Sequence, residues 1–219
     1  MGAKGTHELA DDWIDVFKQR SVWDLEVADV ERWTARNATF FGLLTALVPA
    51  GGRILELGCG PGRHAISAAR LGFQVLGIDI NPAVVEQAGR NAARVAPEAA
   101  VGFRVADMDR LGELDDGAGW DAVTHGGLME HFPSAASIQA SLLAQLSLAP
   151  LVVFDVPLGT DKNLRLFERD DIFRQDWTAE QWLGQVLAPF RVERAHTELH
   201  PDPSMTDDLV VALARVAAG

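Results

Sequence analysis

The chain has 219 residues, of which 48% are hydrophobic and 23% are charged, a composition typical of a globular protein with one sizeable core. Its formal net charge of −12 argues against a general affinity for nucleic acid, because phosphate binding needs a basic face. The single cysteine, Cys59, excludes an intramolecular disulfide and a cysteine-based metal cluster.

The first fifty residues are predicted to be helical. Residues 7–20 and 24–48 carry apolar side chains at spacings of three and four, the pattern of helices with one buried face. Pro49 and the glycines after it end this region, so we assign residues 1–50 to an N-terminal helical arm or lid. The chain begins without an apolar segment of signal-peptide length, and no run could span a bilayer, so we expect a cytoplasmic protein without membrane partners.

From residue 51 onward, short apolar runs alternate with helical stretches. Five runs have the length and composition of buried strands, at 53–57, 74–79, 101–106, 120–125 and 151–156. Helices are predicted near 62–71, 82–94 and 134–148. This alternation predicts an α/β fold with a doubly wound, mostly parallel sheet.

The C-terminal part has a different order of elements. Residues 178–188 are predicted to form a helix, followed by strands at 190–199 and 208–216. The connection between these strands is short and contains two prolines, so the strands must be antiparallel. We therefore expect seven strands, one of them reversed near an edge, in a single globular unit over residues 51–219.

Three glycines follow the first predicted strand, in the string RILELGCGPGRH. In a doubly wound sheet the ligand lies outside the carboxyl ends of the strands, and Gly58, Gly60 and Gly62 would let it approach the main chain closely. The dinucleotide fingerprint needs glycine at its first, third and sixth positions, whereas the sixth position here is Arg63. This spacing counts against NAD and fits S-adenosylmethionine better.

The longer string ILELGCGPGRHAISAARLGFQVLGIDINPAVVEQA resembles the cofactor half of class I S-adenosylmethionine-dependent methyltransferases, in particular their small-molecule branch. The resemblance covers residues 53–156 well and the termini loosely. It implies a Rossmann-like fold, S-adenosylmethionine as cofactor, and methyl transfer to an oxygen or nitrogen of a small-molecule acceptor. The sequence has no H-E-x-x-H motif and no cluster of His and Cys that would indicate a metal.

The resemblance also implies the cofactor contacts. Asp79 would accept hydrogen bonds from the ribose hydroxyls, and Asp107 would accept one from the adenine amino group. Met108 would contact the adenine ring, and Glu56 would lie near the amino group of the cofactor. The remaining predicted contacts are Gly58, Cys59, Gly60, Gly62, Ile80 and His125. Two alternatives stay open: Asp79 as a neighbour of the helix cap Asn81, and Asp107 as part of a plain turn.

Two histidines are the candidates for catalysis. Methyl transfer is a direct displacement, so the protein mainly has to align the acceptor atom, but a hydroxyl or ammonium acceptor must also lose a proton. His131 and His125 lie in the string WDAVTHGGLMEHF, which is similar to the fourth motif of the family, and a histidine pKa suits this proton transfer. The alternative is that they only support the loop or the cofactor pocket. His64 is expected to face its helix or the cofactor carboxylate, without a chemical role.

Recognition of the acceptor is expected from segments outside the cofactor half. These segments are the N-terminal arm, with Trp13, Trp23 and Trp33, and residues 157–177. The second segment carries a basic group made of Lys162, Arg165, Arg169 and Arg174. The group either clamps an acceptor carboxylate or, as we favour, pairs on the surface with Glu168, Asp170, Asp171 and Asp176.

Other functions on the same fold are less consistent with the sequence. Methylation of nucleic-acid bases goes with a D-P-P-Y type of motif after the fourth strand, where this chain reads THGG. The string THGGLMEHF does not resemble the corresponding region of aminopropyl transferases. The remaining alternative is an accessory or regulatory protein that binds S-adenosylmethionine without catalysis.

Overall fold

One seven-stranded sheet organises the chain in a computed structural model that describes residues 12–114, 117–168 and 174–216. The strand order is β3-β2-β1-β4-β5-β7-β6. The strands are β1 (Arg53–Leu57), β2 (Gln74–Asp79), β3 (Val101–Val105), β4 (Ala122–Gly126), β5 (Leu151–Pro157), β6 (Arg191–Glu198) and β7 (Asp208–Ala214). Only β7 runs antiparallel to its neighbours, β5 and β6, so the predicted Rossmann-like sheet with one reversed strand near an edge is confirmed.

Helices cover both faces of the sheet. They are α1 (Asp12–Gln19), α2 (Val27–Arg36), α3 (Ala38–Leu47), α4 (Arg63–Arg70), α5 (Pro82–Val95), α6 (Ala135–Leu148), α7 (Asp161–Phe167) and α8 (Ala179–Gln181). Short 3₁₀ segments occupy Met108–Leu114 and Met129–His131. Within the described ranges, no helix has the length and apolar character needed to cross a bilayer.

Local sequence signals explain several helix starts. The Asn81 side chain accepts hydrogen bonds from the amides of Ala83 and Val84, and Pro82 occupies the first position of α5. Ser134 forms a capping box with Ser137 at the start of α6. As a result, α5 and α6 begin within one residue of the starts predicted for the helices after β2 and β4.

The alternation of side chains along the strands divides the core between the two faces. Phe40, Phe41 and Leu44 of α3 pack with Ile54 and Val153 on one face. The opposite face packs against α6 and includes Leu55, Leu57, Val123, Phe154 and Ile138. Helix α3 therefore contributes to the same core as the strands, and the division at residue 50 between arm and domain stays a prediction.

Three segments differ from the expected helices. The predicted helix over residues 24–48 is broken at Asn37, whose side-chain amide donates to the Trp33 carbonyl instead of continuing one straight helix. Helix α8 widens into a π-type turn over Trp182–Val186, with the Trp182 side chain fully buried. Helix α7 begins after Thr160, whose hydroxyl accepts a hydrogen bond from the Asn163 amide, inside the segment 157–177 for which no helix was predicted.

Candidate active site

A cavity of about 1360 Å³ opens at the carboxyl ends of the parallel strands. The glycine loop after β1, the ends of β2, β4 and β5, and the side chains of α1 line it. Pockets for a single small ligand usually measure roughly 300–1,000 Å³, so this cavity has room for a cofactor and an acceptor side by side.

The glycine loop forms one wall of the cavity as predicted for Gly58 and Gly60. Both residues have positive φ angles, +60° and +52°, which favour glycine. A Cβ on Gly60 would lie 3.0 Å from Cζ of Phe17, and one on Gly58 would lie 3.2 Å from Cδ1 of Leu128. The loop is fixed by the Cys59 amide, which donates to the Ile78 carbonyl at 2.9 Å. The bare backbone of this loop therefore faces the cavity.

Gly62 has a different role from the predicted cofactor contact. It does not line the cavity and stands directly before α4, with φ +95°. A Cβ at this position would lie 3.0 Å from Cζ of Phe103 on β3. The glycine is needed because α4 packs closely onto the sheet here, and the predicted cofactor contact of Gly62 stays a prediction.

Asp79 ends β2 beside the glycine loop and lines the cavity together with Ile80. Its Oδ2 accepts a hydrogen bond from the Gly60 amide at 3.1 Å, and its Oδ1 accepts one from the Asn81 amide at 3.0 Å. Burial raises the pKa of the Asp79 carboxyl, and these amides oppose that shift. Asp79 is therefore the predicted neighbour of the helix cap Asn81 and also faces the cavity, while its hydrogen bonds to the ribose stay a prediction.

Asp107 and Met108 line the same end of the cavity. Oδ1 of Asp107 accepts a hydrogen bond from the Asp109 amide at 2.9 Å, the geometry of a side-chain-stabilised turn. The turn places both side chains on the cavity wall. Their contact with adenine stays a prediction.

Glu56 is a buried acid on the cavity wall. Its exposure is 2%, and its Oε2 accepts no hydrogen bond from the described part of the chain. Burial raises the pKa of this carboxyl well above its usual range, Asp155 and Asp79 raise it further, and Arg63 opposes them. A buried carboxyl with an unsatisfied oxygen fits a cationic ligand group.

The neighbouring thiol is also buried. Burial raises the pKa of Cys59 well above its usual range, and the charge of Glu56 adds to the effect. Cys59 lines the cavity with a protonated thiol, which suits a small packing residue rather than a nucleophile.

Arg63 is a cavity residue that the sequence analysis did not assign. Its guanidinium carbon lies 3.7 Å above the Trp33 ring. Burial lowers the pKa of Arg63 to about 10, and the like charges of Arg20 and Arg36 act in the same direction. An arginine directly after a glycine loop is the signal that could have identified this residue, because the end of such a loop faces the ligand.

The His125 side chain is buried on the face of the sheet that does not line the cavity. Its exposure is 0%, it does not line the cavity, and its ring stacks on Phe154 at 5.0 Å between centroids. Gly126, the next residue along β4, does line the cavity, because side chains alternate between the faces. Burial lowers the pKa of His125 to about 3, so the buried ring stays neutral. The buried, neutral ring argues against the predicted catalysis by His125, whereas its predicted cofactor contact stays a prediction.

The pH dependence of stability tests this placement of His125. The depressed pKa means that the folded protein resists protonation of the ring, so His125 contributes stability above pH 6.5 that is lost as the pH falls toward 3. At about 1.4 kcal/mol per pH unit, we expect His125→Gln to remove roughly 2 kcal/mol of the stability change between pH 7 and pH 5. Urea unfolding of both proteins at the two pH values measures this difference. Equal changes in both proteins would contradict the burial of a neutral ring.

His131 does line the cavity, as predicted. Its ring meets the edge of Trp13 at 5.1 Å between centroids, and its Nε2 lies 3.5 Å from Oε1 of Glu130. Glu130 is 2% exposed, and burial raises its pKa to about 8. His131 is therefore a histidine at the cavity wall with a carboxyl beside it, the arrangement expected of an oriented proton acceptor.

A second carboxyl pairs with His64 at the end of β5. Asp155 accepts a hydrogen bond from the Gly127 amide through Oδ1 at 3.0 Å, and its Oδ2 lies 3.6 Å from Nε2 of His64. The His64 ring lies where a Cβ on Gly126 would be, so position 126 requires glycine. An acid that ends a buried strand, in LVVFDV, was the sequence signal for Asp155.

Some of the residues expected to recognise the acceptor line the cavity, and others do not. Trp13 and Trp33 line the cavity, whereas Trp23 does not and has Lys18 over its ring at 5.5 Å. Arg174 lines the cavity with its guanidinium 4.1 Å from the Phe167 ring centroid.

The basic group also departs from the surface pairing that we favoured. Lys162 pairs with Asp207, not with the acids proposed for it, because α7 packs beside the loop that precedes β7. Arg165 is exposed on α7. Arg169, Asp170 and Asp171 lie outside the described residues.

Comparison with known proteins agrees with this geometry. A family model described as "Methyltransferase domain" matches residues 54–146. A ubiquinone biosynthesis O-methyltransferase from Xanthomonas axonopodis pv. citri is 38% identical over 92 residues, which cover 42% of this chain and 37% of that protein. The enzyme of the same name from Nitrosococcus oceani is 35% identical over 131 residues, covering 55% of this chain and 54% of that protein. The chain thus spans about half, or less, of the length of these relatives.

Solved structures share the fold at low sequence identity. Magnesium protoporphyrin IX methyltransferase from Synechocystis, solved with bound S-adenosylhomocysteine, has a TM-score of 0.61 at 18% identity and covers 99% of this chain and 90% of its own. An S-adenosylmethionine-dependent methyltransferase from Methanosarcina mazei has a TM-score of 0.62 at 16% identity, covering 80% and 98% of the two chains. Residues 54–146 are therefore similar to a methyltransferase domain, and the chain shares the fold of these solved methyltransferases.

Proposed function

We propose that the protein transfers the methyl group of S-adenosylmethionine to an oxygen or nitrogen atom of a small-molecule acceptor. The observation that carries this proposal is the single cavity that joins the glycine loop and Asp79 at one end to His131 and Trp13 at the other. A cofactor held at the first end would direct its reactive group along the cavity. The cytoplasmic location expected from the sequence is part of the same proposal.

The residues present fit this cofactor. Glu56 offers a buried carboxylate oxygen without a hydrogen-bond partner in the described chain, which suits an ammonium group. Arg63 offers a buried guanidinium at the end of the glycine loop, which suits a carboxylate. S-adenosylmethionine carries both an ammonium group and a carboxylate, together with a methyl group activated by positively charged sulfur. NAD lacks this pair of terminal charges.

Each of the other residues then has a defined task. Asp79 would accept hydrogen bonds from the ribose, while Asp107 and Met108 would border the adenine. His131 would take the proton that the acceptor loses, with Glu130 fixing the ring from 3.5 Å away. Trp13, on the other side of His131, limits the access of water to this end of the cavity.

The observations favour catalysis over the non-catalytic alternative. A protein that only bound the cofactor would not need a second cavity end with a histidine and several acids. The names of the curated relatives, ubiquinone biosynthesis O-methyltransferases, place phenolic hydroxyls among the first acceptors to test. Methyl transfer from labelled cofactor to a panel of phenols and amines tests the activity, and a protein that binds cofactor but labels no acceptor would support the accessory role.

Ligand-induced stabilisation tests the cofactor assignment without an acceptor. A ligand at about 100 times its Kd stabilises the folded state by about 2.7 kcal/mol. For a chain of this size that corresponds to a rise in Tm of about 5–10 °C. We expect this rise with S-adenosylhomocysteine in differential scanning fluorimetry and no rise with NAD at the same concentration. A comparable shift with NAD would reverse the assignment.

A further inference from the structure

Three carboxyls line the acceptor end of the cavity: Glu130, Asp155 and Asp208. In the register of β5 and β7, Asp155 pairs with Val210 and Pro157 pairs with Asp208. Asp155 and Asp208 are therefore diagonal neighbours on one face of the sheet, with Cα atoms about 7–8 Å apart. Asp155 also lies near enough to Glu56 and Arg63 to shift the pKa of both groups, so it stands between the residues assigned to the cofactor and Asp208.

Gly127 links Asp155 to Glu130. Its amide donates to Oδ1 of Asp155 at 3.0 Å, and a Cβ on Gly127 would lie 3.3 Å from Oε1 of Glu130. The φ angle of Gly127 is +58°, so the chain turns tightly at this point. The three acids thus form a continuous row around Gly127, which we call the acidic row.

Arginines lie near the acidic row, since Arg174 opposes the pKa shift of Glu130 and Asp155 acts on the pKa of Arg63, but the direct contacts of the row are of another kind. The Glu130 side chain is 3% exposed, and its Oε2 accepts no hydrogen bond from the described part of the chain. In that same part, the ion-pair contacts of Glu130 and Asp155 are to histidines, at 3.5 and 3.6 Å. Asp208 accepts a hydrogen bond from the Thr206 hydroxyl at 2.9 Å, which is a neutral partner. Glu130 lines the cavity, and a buried carboxyl oxygen without a hydrogen-bond partner indicates a missing donor or cation.

Aromatic and apolar side chains surround the acidic row on the cavity wall. They are Trp13, Phe132, Leu166, Phe167 and Met205. A flat apolar scaffold would bury its faces against these side chains. This part of the cavity is therefore lined both by apolar side chains and by the carboxyls of the acidic row.

We infer that the methyl acceptor carries a positively charged nitrogen group on an apolar, aromatic scaffold, and that Glu130, Asp155 and Asp208 bind this group. The inference rests on the proposed function and names the class of its acceptor: an aromatic amine base rather than a carboxylic acid. The charged nitrogen anchors the molecule, whichever of its atoms is methylated.

The inference also predicts proton release on binding. Burial raises the pKa of Glu130 to about 8, with Asp155 and Asp208 adding to the shift and Arg174 opposing it. Burial raises the pKa of Asp208 as well, and Asp155, Glu198 and Asp207 act in the same direction. A bound cation favours the ionised carboxyls, so protons leave when it enters at pH 7.5. A neutral alcohol of the same shape releases none.

Matched probes test the inference on the intact protein saturated with S-adenosylhomocysteine. The pairs are benzylamine and benzyl alcohol, 2-phenylethylamine and 2-phenylethanol, and tryptamine and tryptophol. In isothermal titration calorimetry we expect at least one amine to bind about tenfold or more tightly than its alcohol, as for a hydrogen bond to a charged group. Its binding enthalpy should also change with the ionisation enthalpy of the buffer. If no amine binds more tightly than its alcohol, the inference is overturned.

A variant with a matched control locates the effect. Asp208→Asn retains an oxygen for the Thr206 hydroxyl and should reduce the preference for the amine by about tenfold. Asp109→Asn removes an acid from the opposite end of the cavity and should leave the preference unchanged. An amine preference that survives Asp208→Asn, and also Asp155→Asn and Glu130→Gln, would place the charged group elsewhere.

The first titration separates failure of the inference from failure of the proposed function. If S-adenosylhomocysteine does not bind, the proposed function fails. If it binds and the amines bind no better than the alcohols, the proposed function stands and the acceptor class assigned by the acidic row is wrong.

Discussion

Replacing His131 with alanine should lower the turnover of methyl transfer by about 10²–10⁴-fold, the usual effect of losing a general base. The structure supports this expectation because His131 lines the cavity and has Glu130 at 3.5 Å to fix its ring. Affinity for S-adenosylhomocysteine should change little, since the glycine loop and Asp79 lie at the other end. Turnover with labelled cofactor and calorimetry with S-adenosylhomocysteine measure the two effects separately.

The controls distinguish proton transfer from support of the loop. If His131 only braces the loop, His131→Ala should lower Tm and cofactor affinity together with the rate. Trp13→Phe preserves an aromatic contact with His131 while leaving the imidazole in place, so its turnover should remain within a few-fold of the original. Near-original turnover of His131→Ala between pH 6 and 9 would remove the histidine from the mechanism and leave alignment of the acceptor as the main source of catalysis.

The second large effect is expected at Asp79. Asp79→Ala should weaken the binding of S-adenosylhomocysteine by more than about tenfold, because hydrogen bonds to a charged group contribute roughly 1.5–3 kcal/mol each. The structure adds a second cause: the same carboxylate holds the amides of Gly60 and Asn81, so its loss also loosens the loop. Calorimetry with S-adenosylhomocysteine measures the total.

Asp79→Asn separates the two causes. The asparagine keeps one carbonyl oxygen for a backbone amide but loses the charge, so its affinity should lie between those of the original protein and Asp79→Ala. Asp109→Asn, a charge removal at the same end of the cavity, should leave the affinity within about twofold. An unchanged Kd in Asp79→Ala would refute the assignment of the glycine loop as the cofactor site.

The mostly parallel sheet with one reversed strand, and the glycine loop at the cavity wall, could be predicted because their signals are local. Apolar runs, Gly58, Gly60 and Asp79 each follow from a few neighbouring residues. The burial of the His125 ring and the packing role of Gly62 could not be predicted, for geometric reasons. Side chains alternate along a strand, so the face on which His125 lies follows only when the face of another β4 residue is known. The role of Gly62 depends on its contact with Phe103, which is distant in sequence.

The cavity wall around His131 could be predicted only in part, because its residues come from separate parts of the chain. Asp208 reaches the cavity only because β7 is reversed beside β5. Trp13 reaches His131 only because α1 crosses the cavity. No short sequence motif predicts these contacts, because each of them depends on how elements distant in sequence pack together.

Helix α1 connects two parts of the cavity wall. A Cβ on Gly60 would lie 3.0 Å from Cζ of its Phe17, and its Trp13 contacts His131. The Trp13 and Phe17 rings stack with their centroids 5.6 Å apart, so replacing either ring should change the packing beside both the glycine loop and His131.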